Sequence, residues 1–310
     1  MNILVIPSVR EDSLRAFIKA WDLSSWHHII VIEDNPEQTF SLDINCDHYS
    51  WREIQKDLGK DAWIISKKDS AIRAYGFLKA YQKGADYIFT LDDDTAPTSH
   101  NHVEMHVKNM EATSRWTESV PCKRTRGLPY KNRGILPNVM MSVGFWTGVP
   151  DLDSINSLIA PESNFQPLEY SRILSSGQYV PICGMNLAFK RELTPACYFP
   201  IMGDESPYHR FDDIWFGILV KKICDHLGWH ISCGTPFVEH KKHSNPFTNL
   251  EKEAPGIAFN EIFWEYIDAI NLKGKNPRSC MKEIAKKLSK LDNIYMAHLG
   301  EAISVWEGLF

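Results

Sequence analysis

The stretch Tyr-Ile-Phe-Thr-Leu-Asp-Asp-Asp at residues 87–94 decides the fold class, because a short apolar run leads directly into a triplet of carboxylates. Apolar runs of this length and β-branched or aromatic content are typical of buried strands. The residues before it carry a helical pattern that begins near Asp69 or Ser70, both good N-caps, and ends at Gly84. The sequence therefore predicts a helix followed by a strand.

The same alternation extends toward the N-terminus. Apolar runs at 3–6, 28–32 and 62–66 predict three more strands, and Leu14, Phe17, Ile18 and Trp21 form one stripe of a helix between the first two. Strands separated by helices form mostly parallel sheets, and their ligands lie beyond the carboxyl ends of the strands. Those ends carry polar pairs here: Ser8 and Arg10, Glu33 and Asp34, Asp92 and Asp94. We predict an α/β, Rossmann-like mixed sheet with its site at this edge.

The remaining chain is expected to complete the sheet and add a helical tail. Further strands are predicted at 185–189 and 230–238, with a helix from Asp213 to Leu227 between them. Residues 100–180 predict long loops with short strands and a helix. Helical patterns follow near 260–271 and over 280–308. We expect a catalytic domain at 1–257 and a helical extension at 258–310, which packs on the sheet or mediates assembly.

Composition excludes several classes of protein. The 310-residue chain is 44% hydrophobic and 24% charged with a net charge of -5, which is typical of a soluble globular protein without general affinity for nucleic acid or anionic membranes. The opening has no basic segment of a signal peptide, and no run is long and apolar enough to span a membrane. Seven cysteines form no CxxC pair. They predict reduced thiols in a cytoplasmic protein.

Asp92, Asp93 and Asp94 are the first candidates for chemistry. Carboxylates at i and i+2 can share a hard cation whose other ligands are diphosphate oxygens and water. A cation bound there would make diphosphate a better leaving group. A solvated acidic turn is the alternative for a bare triplet, but its place after a buried strand of an alternating pattern favours the metal.

Basic residues form two candidate phosphate contacts. Lys67, Lys68 and Asp69 precede a helix that carries Arg73 one turn in, and such a helix start can hold phosphate or a base edge, or simply be solvated. Arg124, Arg126, Lys131 and Arg133 surround Gly-Leu-Pro-Tyr at 127–130. This stretch is either an exposed basic loop or a flap that closes over a phosphate-rich ligand.

Two late segments add acids and histidines. Asp212 and Asp213 precede an apolar helix, where either could be its N-cap or a catalytic carboxylate. His240 and His243 follow a strand, where one could complete a metal site or both could be surface histidines.

Several segments together resemble the plant reversibly glycosylated polypeptides, the UDP-arabinopyranose mutases. The resemblance covers about residues 3 to 257 and is carried by motifs in the family's order, at 68–70, 73–77, 87–94, 183–189, 202–204, 210–215, 223–227 and 240–250. It implies a glycosyltransferase-A-like fold, a bound Mn²⁺ or Mg²⁺ and a UDP-sugar such as UDP-L-arabinose. It also implies interconversion of pyranose and furanose forms, with reversible glycosylation of an arginine.

The resemblance assigns roles to particular residues. The match to Arg126-Gly127-Leu128-Pro129-Tyr130 places the modified arginine at Arg133, although Gly134 stands where an acidic residue is expected and the chain is shorter than the plant proteins. Catalytic roles are expected for Arg126, Arg133, Asp212 and Asp213, and metal binding for Asp92, Asp94 and His240. Contacts to the nucleotide sugar are expected from Pro7, Arg10, Glu33, Asp34, Lys68, Asp69, Arg73, Asp92, Asp93, Asn186 and His243.

These roles define a mechanism and its competitors. The cation would stabilise the leaving diphosphate, Arg133 would attack the anomeric carbon, and Asp212 or Asp213 would take the guanidinium proton. Alternatively, a carboxylate captures the sugar and Arg133 clamps phosphate. A glycosyltransferase with an external acceptor, or a non-catalytic subunit that binds the nucleotide sugar, would use the same fold. A homo-oligomer is a possible assembly.

Overall fold

The computed structural model describes residues 1–111, 113–116, 126–136, 138–161, 164–203, 206–241 and 244–310. Its strands are β1 Asn2–Ser8, β2 His28–Glu33, β3 Asp47–Tyr49, β4 Tyr87–Leu91, β5 Thr95–Pro97, β6 Thr113–Ser114, β7 Ile135–Leu136, β8 Val139–Gly148, β9 Ser171–Ile173, β10 Asn186–Lys190 and β11 His230–His240. Its α-helices are α1 Glu11–Ala20, α2 Trp51–Leu58, α3 Arg73–Gln82, α4 His102–Met110, α5 Ser154–Ile159, α6 Asp212–Leu227, α7 Pro246–Asp268, α8 Pro277–Leu288 and α9 Ile294–Glu307.

The strands form a nine-stranded mixed sheet in the order β3-β2-β1-β4-β10-β8-β11-β5, with β9 also paired to β11. Strands β1 to β4 are parallel, and β10 pairs antiparallel with both β4 and β8. Because β8 and β11 are parallel to each other, they run in the same direction as β4. The predicted α/β architecture, a mostly parallel mixed sheet between helices, is confirmed.

Alternating side chains of β1 supply two cores on opposite faces of the sheet. Ile3 and Val5 pack with residues of α3, α6 and the C-terminal helices, whereas Leu4 and Ile6 pack with residues of α1 and α4. Fully buried Trp306 belongs to the first core, and a side chain of this size contributes roughly 1.5–3 kcal/mol or more by burial. The last helix is thus part of the main core.

One predicted strand is wrong. Residues 62–66 were expected to be the third strand, but Gly59–Ile64 is a 3-10 helix and the edge strand is β3 instead. Ser50 and Glu53 form a capping box at the start of α2, which lies between β3 and this 3-10 helix. The apolar run at 62–66 packs against helices, because a buried run of that length suits a helical turn as well as a strand.

The C-terminal part is helical, as predicted, although its first helix begins earlier. Asn245 caps α7, so residue 257 lies inside this helix, and the division at 257 stays a prediction. Within the described ranges, no helix combines the length and the hydrophobicity that crossing a bilayer requires. The cysteines in these ranges, Cys46, Cys183, Cys197, Cys224, Cys233 and Cys280, are free thiols.

Candidate active site

Asp92 follows the carboxyl end of β4 and is held by the buried side chain of Arg73. The guanidinium, 1% exposed, donates to Asp92 Oδ1 at 2.6 Å. It also donates to Thr90 Oγ1 at 3.1 Å, to the carbonyl of Ser70 at 3.0 Å and to the carbonyl of Gly184. Arg73 therefore joins α3, β4 and the turn before β10. The phosphate contact expected of Arg73 would involve a guanidinium already bound to protein oxygens.

Asp93 and Asp94 face the end of β1. Arg10 donates to Asp93 Oδ1 at 2.7 Å and to Asp94 Oδ2 at 3.3 Å, and Ser8 Oγ donates to Asp93 Oδ2 at 2.6 Å. Burial raises the pKa of Asp94, and the negative charge of Asp92 raises it further. A cation between Asp92 and Asp94 would relieve this repulsion. Pro7 lies in β1 one residue before Ser8, at the same edge.

His240 lies beside the aspartates because β11 pairs with β5, with His240 opposite Thr95. Its Nδ1 lies 2.8 Å from the carbonyl oxygen of Val149, which can only accept, so Nδ1 donates and Nε2 is the nitrogen left to face a metal. His243, the other expected histidine, lies outside the described residues, as does Arg124.

The donor set fits a divalent cation only in part. Two carboxylates and an imidazole are suitable ligands, but among the described residues no three His, Cys, Asp or Glu side chains are gathered closely enough to hold a metal. Diphosphate oxygens and water would have to supply the other ligands. That Asp92, Asp94 and His240 hold the ion stays a prediction.

A second group of carboxylates lies next to Arg73. Asp69 accepts from the amide of Ala71 at 3.1 Å and lies within hydrogen-bonding distance of Asp212. Asp212 accepts from Ser70 Oγ, and Asp213 accepts from the amide of Gly184 at 3.0 Å. Helix α6 starts with these two aspartates, and Phe211 is its N-cap residue. The alternative that Asp212 or Asp213 is the N-cap is therefore wrong.

The protonation of this group differs from the expected one. Burial raises the pKa of Asp69 well above its ordinary value, and the charge of Asp212 raises it further. Burial and the charge of Asp212 likewise raise the pKa of Asp213. The sequence suggested a carboxylate base, whereas Asp69 and Asp213 retain protons at higher pH and are suited to act as acids.

Glu33 and Asp34 accept hydrogen bonds from other groups of the protein. Glu33 is fully buried and accepts from Asn35 at 2.7 Å and from the Thr39 amide at 2.9 Å, and it lies 2.7 Å from His48 Nε2. Asp34 Oδ1 accepts from Trp51 Nε1 at 2.6 Å. Burial raises the pKa of Asp34, against hydrogen bonds from Trp51 and from the amides of Lys68 and Asp69. Asp34 thus supports the loop in which Lys68 has a positive φ of 56°.

Asn186 is a buried support beneath the aspartate triplet. It pairs with Leu91 across the sheet, and its amide nitrogen donates to the carbonyls of Phe145 at 3.0 Å and Pro236 at 2.9 Å. His106 Nε2 lies 3.0 Å from its amide oxygen. A direct contact between Asn186 and the nucleotide sugar stays a prediction.

Sequence reasoning missed the histidines behind this support. His102 and His106 are both buried, and their rings lie edge to face with centroids 4.9 Å apart. Their i, i+4 spacing on an otherwise amphipathic helix is the signal that could have pointed to one shared face of α4.

Arg133 and Arg126 are not brought to the aspartates. Arg133 stands just before β7, which pairs with β6 and leads into the amino end of β8. Since β8 runs in the same direction as β4, that end lies at the edge of the sheet opposite to Asp92. Arg126 is exposed in a turn of the same segment, and Arg133 Nε donates to the carbonyl of Pro129 at 3.1 Å.

Comparison with known proteins gives a family match over almost the whole chain. The family model described as "Reversibly glycosylated polypeptide" matches residues 2–310. UDP-arabinopyranose mutase 3 of Arabidopsis thaliana is 36% identical, over 98% of this chain and 89% of that protein. Probable UDP-arabinopyranose mutase 1 of Pisum sativum is also 36% identical, over 98% of this chain and 88% of that protein.

Solved structures show weaker likenesses. Glucosyl-3-phosphoglycerate synthase from Mycobacterium tuberculosis, in complex with Mn²⁺, UDP and phosphoglyceric acid, has a TM-score of 0.47 and 12% identity, over 88% of this chain and 80% of that one. A mannosyltransferase from Pyrobaculum calidifontis, with GDP-Man and Mn²⁺, has a TM-score of 0.41 and 10% identity, over 98% and 85%. Likenesses at these scores do not establish a shared function.

We expect Arg73→Met to destabilise the protein by about 3–5 kcal/mol, because it leaves Asp92 and several buried oxygens without their donor. Urea denaturation measures the loss. Arg52→Met is the matched control, since Arg52 forms an exposed pair with Glu37 at 2.5 Å and should change stability by about 1 kcal/mol or less. A similar small change for both variants would contradict the anchoring role of Arg73.

The contribution of His106 to stability should be lost as the pH drops from about 6.5 to about 4, against the opposite contribution of Asp69 and Asp213, whose pKa values are raised. Burial lowers the pKa of His106 from 6.5 to about 4, so in this window the unfolded chain binds a proton that the folded chain excludes. The cost is about 3 kcal/mol at pH 4. His102, whose pKa burial also lowers, adds to the trend.

Urea titrations at pH 7 and pH 4 test this dependence. His106→Gln should flatten it by about the same 3 kcal/mol, whereas His100→Gln, at an exposed position, should leave it unchanged. An unchanged slope in His106→Gln would show that His106 is not held neutral by burial.

Proposed function

The chain belongs to the reversibly glycosylated polypeptide family, and we propose that it is a metal-dependent mutase that interconverts the pyranose and furanose forms of UDP-L-arabinose. The observation that carries this proposal is the 36% identity to UDP-arabinopyranose mutases over 98% of this chain. Its free thiols support a reducing compartment, and we place the activity in the cytoplasm.

The charges at the carboxyl edge of the sheet support a nucleotide-diphosphate substrate. Arg10 lies at the end of β1 and is partly exposed, so it can exchange a carboxylate partner for phosphate oxygens. Asp92, Asp94 and His240 would hold the cation. When bound there, Mn²⁺ or Mg²⁺ neutralises the charge that develops on the leaving diphosphate.

The reaction itself needs one proton given to the ring oxygen and one proton taken from another hydroxyl of the sugar. A nucleophile would replace diphosphate at the anomeric carbon, and its lone pair would then expel the ring oxygen, which takes a proton as the ring opens. A different hydroxyl would lose its proton and close the new ring on the same carbon, and diphosphate would displace the nucleophile. Asp69 and Asp213, whose pKa values burial raises, are suited to give the first proton, and Asp212 is suited to take the second.

Purified protein with Mn²⁺ and UDP-arabinopyranose should produce the furanose isomer without any acceptor. The double variant Asp92→Asn, Asp94→Asn should lose about 100-fold or more of this turnover, because it removes the carboxylates that hold the cation. Asp43→Asn, at an exposed aspartate on the surface, is the matched control and should keep full activity.

Chromatography of the nucleotide sugars separates the outcomes. Sugar transfer to an added acceptor, with no isomer from any donor, would make the protein a glycosyltransferase and overturn the mutase proposal. Isomerisation that is equal in the double variant and the control would overturn the metal role of Asp92 and Asp94.

We further propose that the arginine adduct implied by the family forms between two copies of the chain. Arg133 lies at the edge of the sheet opposite to Asp92 of the same chain, whereas Arg133 of a second copy can approach the open carboxyl edge. Its nitrogen would displace diphosphate from the anomeric carbon, with a carboxylate taking the guanidinium proton, and would expel the ring oxygen to leave an acyclic iminium.

A mixing experiment tests transfer between copies. One chain carries Asp92→Asn and Asp94→Asn with Arg133 intact, and the other carries Arg133→Lys with the aspartates intact. After incubation with UDP-arabinopyranose, intact mass and peptide mapping should find a pentose on Arg133 of the first chain, only in the mixture. A pentose on wild-type protein but never in the mixture would show that the adduct forms within one chain.

A further inference from the structure

A cavity lies away from the aspartate edge, between α4 and the strands β9 and β11. Its volume is about 350 Å³, within the lower part of the range of about 300–1,000 Å³ for ligand pockets. Helix α4, the short strand β6, β9 and β11 all contribute to it. Polar and charged residue types predominate among the residues that line it: Met105, Lys108, Asn109, Thr113, Ser114, Ser171, Arg172, Ile173, Ser232 and Thr235.

Ser232 is the most informative residue of this lining. It is 1% exposed, and its Oγ has no hydrogen-bond partner among the described residues. Its neighbour in register on β8, Ser142, is also fully buried, but Ser142 Oγ lies 2.8 Å from His106 Nδ1 and accepts from Asn109 at 3.1 Å. Buried hydroxyls are normally paired, so an unpaired one that lines a cavity indicates a missing partner.

The charges around the cavity have one sign. Lys108 and Arg172 are the charged residues that line it, and no acidic side chain is among the described lining. Strand β6 also connects it to the basic segment, because Thr113 and Ser114 pair with Leu136 and Ile135. Arg115 follows β6, and its Nε donates to the carbonyl of Ile135 at 2.8 Å. Ile135 and Leu136, two of the described residues that follow Arg133, therefore lie beside a strand that lines this cavity.

We propose that this cavity is a second binding site, for a sugar phosphate. The unpaired hydroxyl of Ser232 can bond a hydroxyl of a monosaccharide, the hydroxyls of Thr113 and Ser171, which donate to Asn109, can still accept from one, and Lys108 matches a phosphate group. The site is separate from Asp92, Asp94 and His240, needs no cation, and does not depend on the proposed mutase activity.

Isothermal titration of the metal-free protein with glucose 1-phosphate, and separately with inorganic phosphate, tests the site. Glucose 1-phosphate should bind more tightly than phosphate, because only the sugar reaches the hydroxyls. Lys108→Met should weaken both by about tenfold or more, the size expected for a lost charge-assisted hydrogen bond. Lys60→Met, at an exposed lysine that does not line the cavity, is the matched control and should bind as wild type does.

Ser232 and Ser142, which are neighbours in register on β11 and β8, provide a second readout. Ser232→Ala removes a hydroxyl that the free protein leaves unpaired, so it should raise the Tm of the free protein while weakening glucose 1-phosphate. Ser142→Ala removes a hydroxyl that is fully bonded, so it should lower the Tm. Opposite signs at two neighbouring serines would separate a ligand contact from a structural role.

Two results would overturn the proposal. Absence of binding of both probes, together with an unchanged or lower Tm in Ser232→Ala, would mean that the cavity holds only water. Binding that is unaffected by Lys108→Met but abolished in the Asp92→Asn, Asp94→Asn variant would place the phosphate at the aspartate edge. Neither result depends on whether UDP-arabinopyranose is isomerised, so failure of this site and of the mutase proposal can be told apart.

Discussion

The buried ion pair between Arg73 and Asp92 is the interaction on which the arrangement of the site depends. A guanidinium removed from water must have its donors satisfied, and here a carboxylate, a hydroxyl and two carbonyls satisfy them. Those acceptors come from the turn before α3, from β4 and the residue that follows it, and from the turn before β10. Their relative positions are therefore fixed by one side chain, and with them the position of the first aspartate of the triplet.

The acidic residues around this pair fall into two groups with different partners. Asp93 and Asp94 are balanced by Arg10, which can be replaced because it reaches solvent. Asp69, Asp212 and Asp213 are crowded together on the other side of Arg73, and burial together with the charge of Asp212 raises the pKa values of Asp69 and Asp213. In the proposed function, this edge of the sheet would hold a cation and diphosphate next to groups that give and take protons. Ring opening and closure of a nucleotide sugar needs both.

The opposite half of the sheet has a different character. The polar face beneath α4 carries His106, Asn109 and Ser142 in one bonded group, and Asn186 continues it toward the end of β4. The basic segment before β8 joins this half of the molecule through β6 and β7. Basic side chains therefore lie at two places, Arg10 at the carboxyl edge and Lys108 and Arg172 at the cavity beside α4, and the phosphate ligands proposed for the two places differ.

The sequence by itself determined the alternation of strands and helices and the carboxyl-edge position of Asp92, because the apolar periods and turn residues that specify them are local. It misjudged residues 62–66, since a short buried run does not distinguish a strand from a helical turn. The bonding of Glu33, Asp34 and Asn186, the protons on Asp69 and Asp213, and the distance between Arg133 and Asp92 were decided only by the tertiary structure. Each of these depends on burial and on partners far away in the chain, and neither burial nor a distant partner leaves a local pattern in the sequence.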